Sequence, residues 1–396
     1  EFVLFALTLL GVALFHHHTL RVALIGLGAI TLYKLLVTGF AGHPGLGGLA
    51  QHLGHEWVLL ANLFGLLTGF ALLARHFEDT RLPQVLPDIL PDDWRAGVWL
   101  LAIVFVMSAF LDNIAAAMIG GTMAAGVFRG RVHLGYLAAI VAASNAGGAG
   151  SVIGDTTTTM MWIQGVAATD VLHAYVAAAA AFLVFAVPAS LQQQRHSPVT
   201  RDARAGVVID AARIVVVLLI LGAAVLANLA LNLWFPGQGA QFPWIGCAVW
   251  AAILATARWR RPQWSLLPAA ATGSVFLLAL VLCASLMPVE SLPAASWRVT
   301  LGLGFLSAVF DNIPLTKLAL DAGGYDWGFL AYAVGFGGSM TWFGSSAGVA
   351  LSSRFEEARS VTAWLRAGWH VVLGYVAGFL VLLATLGWHP HLPRPG

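Results

Sequence analysis

The sequence predicts an all-α polytopic membrane protein made of two inverted repeats. Three observations carry this. Hydrophobic residues make up 59% of the chain and charged residues only 10%, where a soluble domain has roughly 25% charged residues. The stretch SAFLDNIAAAMIGG at 108–121 has a near-copy, SAVFDNIPLTKLAL, at 307–320; Asp112 answers Asp311 at an offset of 311 − 112 = 199, about half the chain. Each copy is followed by a glycine-rich piece inside an apolar segment, NAGGAGSVIGDTTTTMMW from Asn145 and GFGGSMTWFGSSAGVAL from Gly335.

A helical span needs about 20 apolar residues. Residues 2–15, 20–40 and 56–74 supply the first three spans. Between the last two, HPGLGGLAQHLGHE (43–56) reads as a loop or interfacial turn, and its His52-x-x-His55-Glu56 fits no zinc spacing. A polar, proline-broken stretch fills 75–95. Residues 96–128 are apolar with Asp112-Asn113 at the centre, 133–165 is interrupted by its glycine run, and 169–191 spans again. QQQRHSPVTRDAR (192–204) is the longest polar connection, so a linker at 192–210 divides the halves. The second half has spans at 211–234, 243–257 and 265–288, an acidic segment at 300–320, a broken segment at 327–353 and a last span at 362–388. The divisions are therefore 1–95, 96–191, 192–210, 211–299 and 300–396. Cys247 and Cys283 sit in separate apolar segments and read as packing residues. The net charge of +2 does not indicate nucleic acid, because the arginines lie in short loops. The chain opens on Glu1-Phe2 without a methionine, so a longer product is expected.

The arginines give the sidedness. Arg195, Arg201 and Arg204 share one loop, and Arg258, Arg260 and Arg261 share another two spans later, while the loop between, PGQGAQF, is uncharged. The basic side is expected to be cytoplasmic. Counting back from the linker returns Arg129 and Arg131 to that side, together with Arg75, Arg81 and Arg95. Segment 96–128 then begins and ends on the same face, as a re-entrant hairpin with Asp112 near its tip. Counting forward, 300–320 enters from the opposite face and 327–353 brings Arg354 and Arg359 back. Irregular backbone at membrane depth is tolerated where it lines a site instead of lipid.

An acid within a span costs roughly 2.5–3.5 kcal/mol on insertion scales. Asp112 and Asp311 therefore call for a cation, a proton or a salt bridge, or for a capping role at half-helix starts; the two roles are compatible. Asn113 and Asn312 can offer side-chain carbonyls to an ion or satisfy the turn. Asp155 follows the first glycine break and has Ser345 as its counterpart. The hydroxyls of Thr156, Thr157, Thr158, Ser345 and Ser346 can ligate Na⁺ or bond back to their own helix. The amides around Gly147, Gly148, Gly337 and Gly338 could instead receive an anion. Lys317, six positions beyond Asp311, either occupies the place of a bound cation or snorkels to the surface. His173 and His370 lie near span ends and read as interfacial, with a proton relay as the alternative.

These motifs resemble the NhaD-type sodium/proton antiporters of the ion transporter superfamily, which also holds arsenite permeases and citrate carriers. The likeness covers roughly 96–191 and 300–388. It implies a scaffold domain (1–95 and 211–299) that dimerises, and a transport domain (96–191 and 300–396) that moves as a unit across the membrane, the elevator mechanism. It also implies a central site at the hairpin tips and breaks. Carried onto this chain, that site is Asp112, Asn113, Asp155, Thr156, Asp311, Asn312 and Ser345. Asn145 at the head of the first glycine run, with Thr157, Lys317 and Ser346, completes the candidate set. The first tip lacks a counterpart of Pro314, and Lys317 stands where an apolar residue is expected.

The expected function is Na⁺ (or Li⁺) exchange for H⁺ in a bacterial inner membrane. Asp112, Asp155 and Asp311 would be the groups for which the two cations compete. A homodimer is expected, with no cofactor beyond Na⁺ as the transported or coupling ion. The alternatives are a carrier of a small anion (a dicarboxylate, bicarbonate or an oxyanion), held by Lys317 and the glycine amides, and an intramembrane enzyme. The enzyme would need a nucleophile–base pair or a metal set within the spans, and the sequence offers neither.

Overall fold

The computed structural model describes residues 1–15, 18–40, 44–85, 90–199, 208–235, 238 and 241–391. The expectations for His16, His17, His43, 86–89, Arg201, Arg204 and most of the PGQGAQF loop lie outside the described residues. The described chain is helical and contains no strand. It begins with α1 (Phe2–Leu14), α2 (Thr19–Tyr33), α3 (Gly45–Asp79) and the short α4 (Leu82–Val85). Next come α5 (Arg95–Ser108), α6 (Asn113–Val127), α7 (Leu134–Ala149), α8 (Thr156–Ile163), α9 (Ala168–Leu172) and α10 (Ala174–His196). The second half holds α11 (Ala211–Trp234), α12 (Trp244–Thr256), α13 (Leu267–Ser285), α14 (Trp297–Ser307) and α15 (Asn312–Ala322). It ends with α16 (Trp327–Gly337), α17 (Ser346–Arg354), α18 (Val361–Ala367) and α19 (Trp369–Leu386). Among the described residues, 6 helical segments are long and apolar enough to cross a membrane. The chain is thus an all-α, multi-pass membrane protein.

Several elements differ from the sequence expectation: the spans expected at 2–15 and 243–257 are helices of 13 residues, and 362–388 divides at Gly368 into α18 and α19. The loop expected at 43–56 is helical from Gly45, so α3 is one helix of 35 residues, about 52 Å long. Pro44 starts it without breaking it, since proline ahead of the first turn costs no hydrogen bond. The linker expected from 192 begins later, because α10 runs to His196. Gln193 is fully buried there. It donates to the carbonyls of Arg131 and Ser197 and accepts from the His133 amide at 2.7 Å.

The two acidic segments each fold as a helix–turn–helix unit. The arms α5 and α6 have 14 and 15 residues, about 21 Å each, too short to cross a hydrocarbon layer of about 30 Å. They pack side by side, Gly120 facing Val104, with Asp112 at the turn. The arms α14 and α15 repeat this with 11 residues each and Asp311 at the turn. The base of α6 is tied to α17, Arg354 Nη1 donating to Thr122 Oγ1 at 2.6 Å. The base of α15 is tied instead to the N-terminal third of α3 through Lys317 and Glu56.

The broken helices form the centre. Every residue from Gly135 to Ala149 in α7 and from Trp327 to Gly337 in α16 is buried. Both are packed against α10 and α19. Their glycines hold similar contacts in the two halves, displaced by one residue in the second pair. A Cβ on Gly147 would collide with the carbonyl of Phe105, and one on Gly337 with the carbonyl of Gly304. Gly154 abuts the carbonyl of Ser108, and Gly344 that of Ala308. Glycine is required at these positions because backbone meets backbone. At the far end of α3, Arg75 pairs with Glu78 and Asp79 while Arg213 reaches Asp79. Arg260 grips Asp210 through Nε at 2.9 Å and Nη2 at 3.1 Å. Arg75 and Arg260, expected on one membrane face, thus lie with Arg213 where ends of α3, α11 and α12 meet.

Gly147→Ala and Gly337→Ala are each expected to lower stability by about 3 kcal/mol in detergent, the cost of overpacking without room to relax. Gly222→Ala, where the added methyl meets nothing within 4 Å, should be near neutral. Thermal unfolding of the purified chain checks both. The Arg260 hydrogen bond also holds the Asp210 carboxyl below its usual range. A lowered folded pKa makes this contribution present above the unfolded value of about 3.9 and lost as pH falls through the folded value. Asp210→Asn should therefore flatten the acid limb of the stability–pH curve.

Candidate functional site

Four helix starts meet at the centre of the molecule. Asp112 caps α6, its carboxylate accepting from the Ile114 amide at 3.3 Å. Asp311 caps α15, accepting from Ile313 at 3.0 Å. Asp155 caps α8 and Ser345 caps α17. Each residue suits its place, since short oxygen-bearing side chains satisfy the orphan amides of a first turn. Four such ends bring partial positive charge to one region, and three carboxylates stand against it.

One hydrogen-bond network ties the pieces together. Asn113 Nδ2 donates to Asn145 Oδ1 at 3.1 Å and to Asp155 Oδ2 at 3.0 Å. Asn145 Nδ2 donates in turn to Ser339 Oγ at 2.9 Å and Ser345 Oγ at 3.1 Å. Asp155 Oδ1 accepts from both the amide and the hydroxyl of Thr157 at 2.8 Å. The Ser346 hydroxyl lies 3.4 Å from Asp311 Oδ2. Asn113, Asn145, Asp155, Ser339 and Ser345 are all buried. Among the described residues, no ion pair reaches Asp112, Asp155 or Asp311.

A cavity of about 540 Å³ opens beside this network. Asp112, Asp155, Thr156 and Ser346 line one part of it. Faces of α3 and α13 line the opposite wall, and it extends to Arg75 and Glu78. Much of the wall is apolar, so the carboxylates are its main attraction for a cation.

The structure thus gathers Asp112, Asn113, Asn145, Asp155, Thr156, Thr157, Ser345 and Ser346 into one region, with Asp311 joined through Ser346. Asn312 is buried at the start of α15. Thr158 bonds the carbonyls of Ser151 and Asp155, which is backbone duty. Gly147, Gly148, Gly337 and Gly338 serve close packing between backbones. Lys317 does not pair with Asp311, nor does it reach the surface. It is 1% exposed and bonds Glu56 Oε1 at 3.0 Å and Asp321 Oδ1 at 2.7 Å. Its aliphatic length carries the ammonium away from the tip along α15. His370, read as interfacial, is fully buried, with Nε2 at 3.2 Å from Gln192 Oε1. Sequence reasoning missed Ser339 and Glu56. Glu56 is the only acid between Glu1 and Glu78, a signal obscured by the expected loop.

No family model matches the chain. The chain is similar to two plant proteins from Arabidopsis thaliana. Sodium/proton antiporter 1 is 26% identical over 366 residues, covering 82% of this chain and 60% of the plant protein. Sodium/proton antiporter 2 is 26% identical over 339 residues, covering 73% of this chain and 76% of its own length. The chain therefore spans less than two thirds of the first relative's length.

The network predicts a sharp stability difference. Asn145→Ala removes the amide that joins both broken helices and takes from the buried Ser339 hydroxyl its donor, at a cost of about 1–3 kcal/mol. Thr385→Ala, whose hydroxyl bonds only carbonyls of its own helix, should cost close to nothing. Paired melting curves in one detergent compare them.

Proposed function

We propose that this chain is a secondary-active transporter exchanging Na⁺ for H⁺ across a membrane. The observation that carries the reading is the set of three carboxylates, free of ion pairs among the described residues, at converging helix starts beside a cavity. A carboxylate holds either a proton or a metal cation, so one group can serve both in turn. Asp112 faces the cavity and receives the cation. Asp155, with its donors fixed, positions Asn113 and the break. Asp311 completes the set from the second hairpin through Ser346. Thr156, Thr157, Ser345 and Ser346 supply neutral oxygens, which suit a small hard cation. The names of the two plant relatives support this reading, and it is transport in kind, not catalysis.

Further parts of the proposal go beyond those names. The two hairpins act as the tips of inverted repeats, supported by the tie of one base to α17 and of the other to the opposite end of α3 from the arginines. They move with the broken helices as one body against α3, α11, α12 and α13, an elevator motion, in a homodimer of a bacterial cytoplasmic membrane. Li⁺ is carried as well as Na⁺. The small-anion alternative loses its cationic ligand, since Lys317 is engaged by Glu56 and Asp321.

Liposomes holding the protein and an internal pH dye test the reading. An imposed Na⁺ gradient should drive proton movement, with apparent Na⁺ affinity falling as pH falls because the two ions compete. Asp112→Asn and Asp311→Asn should each reduce the rate by about a hundredfold or more, the scale of losing a group that carries the exchange. Absence of proton movement with both Na⁺ and Li⁺, in protein that elutes as a folded species, would overturn it.

A further inference from the structure

The contact between the two hairpins and the helices around them is lopsided. Along α6, the residues Ile114, Ala115 and Met118 line the cavity, which separates this part of the hairpin from α13, while α6 still touches α3. Along α15 the gap is closed. Leu318 and Phe310 pack into an apolar cluster with Ala279, Cys283 and Met287 of the α13 region. Beside that cluster lies a charged triad, in which Lys317 and Glu56 are buried and Asp321 is exposed. Lys317 reaches across to Glu56 of α3 at 3.0 Å and along its own helix to Asp321 at 2.7 Å.

The offset between the hairpins, 199, places Met118 where α15 has Lys317, and Thr122 where it has Asp321. The first hairpin therefore carries no ionisable group at either position. When its side closes, it cannot form the same bond. An ion pair buried on one side and absent on the other biases any exchange between the two arrangements, because separating it exposes one charge without its partner.

We propose that Glu56, Lys317 and Asp321 form a one-sided ionic latch. It fastens the second hairpin to α3 and sets the resting conformation, in which the cavity reaches Arg75 and Glu78. This rests on the moving-hairpin part of the proposed function but not on its cargo. The groups are distinct from the carboxylates at the helix starts, and the latch acts on which side is open, not on ion binding.

The chain supplies its own reporter. Cys283 is buried in the closed cluster, and Cys247 is exposed. In a Cys247→Ser background, a small maleimide should label Cys283 slowly. Lys317→Met and Glu56→Gln should each raise that rate about tenfold or more. The double variant should do no more than either single one, since the pair is already broken. A second background, Cys247→Ser with Cys283→Ala and Ala74→Cys on the cavity wall, reads the other side. There the same substitutions should slow labelling. Reciprocal changes support the latch. An unchanged Cys283 rate overturns it, as does a rise at both positions, which marks loosened packing. No sodium or pH gradient enters the assay. A chain that carries no sodium can pass it, and a working sodium/proton exchanger can fail it.

Discussion

An interrupted helix inside an apolar protein leaves amides and carbonyls that water cannot reach. Two such interruptions sit side by side at the centre of this fold, and the surrounding architecture answers them. Asp155 and Ser345 satisfy the restarting helices, while Ser151 and Thr341 bond the carbonyls of Ala109 and Ala308 at the adjoining turns. Only glycine lets the neighbouring backbones come close enough for this. The hairpins must then be short, because their tips have to stop at the breaks. The long flanking helices cover what remains.

This constraint explains why the polar residues of the centre are few and shared. Asn145 joins two broken helices with one amide. Asn113 joins a hairpin tip to the first of them. Thr157 serves its own cap and the Asp155 carboxylate together.

Much of this was legible in the sequence. The paired Asp-Asn-Ile tips and the glycine runs marked the hairpins and breaks, because few residue types suit a helix start in an apolar segment. The partners across the molecule were not legible. Ser339 is an ordinary serine until the fold brings it to Asn145. Glu56 looked like part of a polar loop, because histidines and glycines around it masked a helix whose buried face it occupies. Lys317 was visible as an oddity with Asp321 one turn beyond it, but its other partner, Glu56, lies 261 positions away and no local pattern points there.

The two halves are built alike and yet cannot be interchanged. Asn145 reaches Ser339 and Ser345 in the opposite half. Its counterpart, Gly335, stands in the same relation to Ala149 and Asp155, with its bare Cα facing them. Here the crossing is made once, and the flank of Asp155 where a second amide would have lain is left bare. The centre is therefore lopsided in its polarity: one half reaches over, and the other keeps clear.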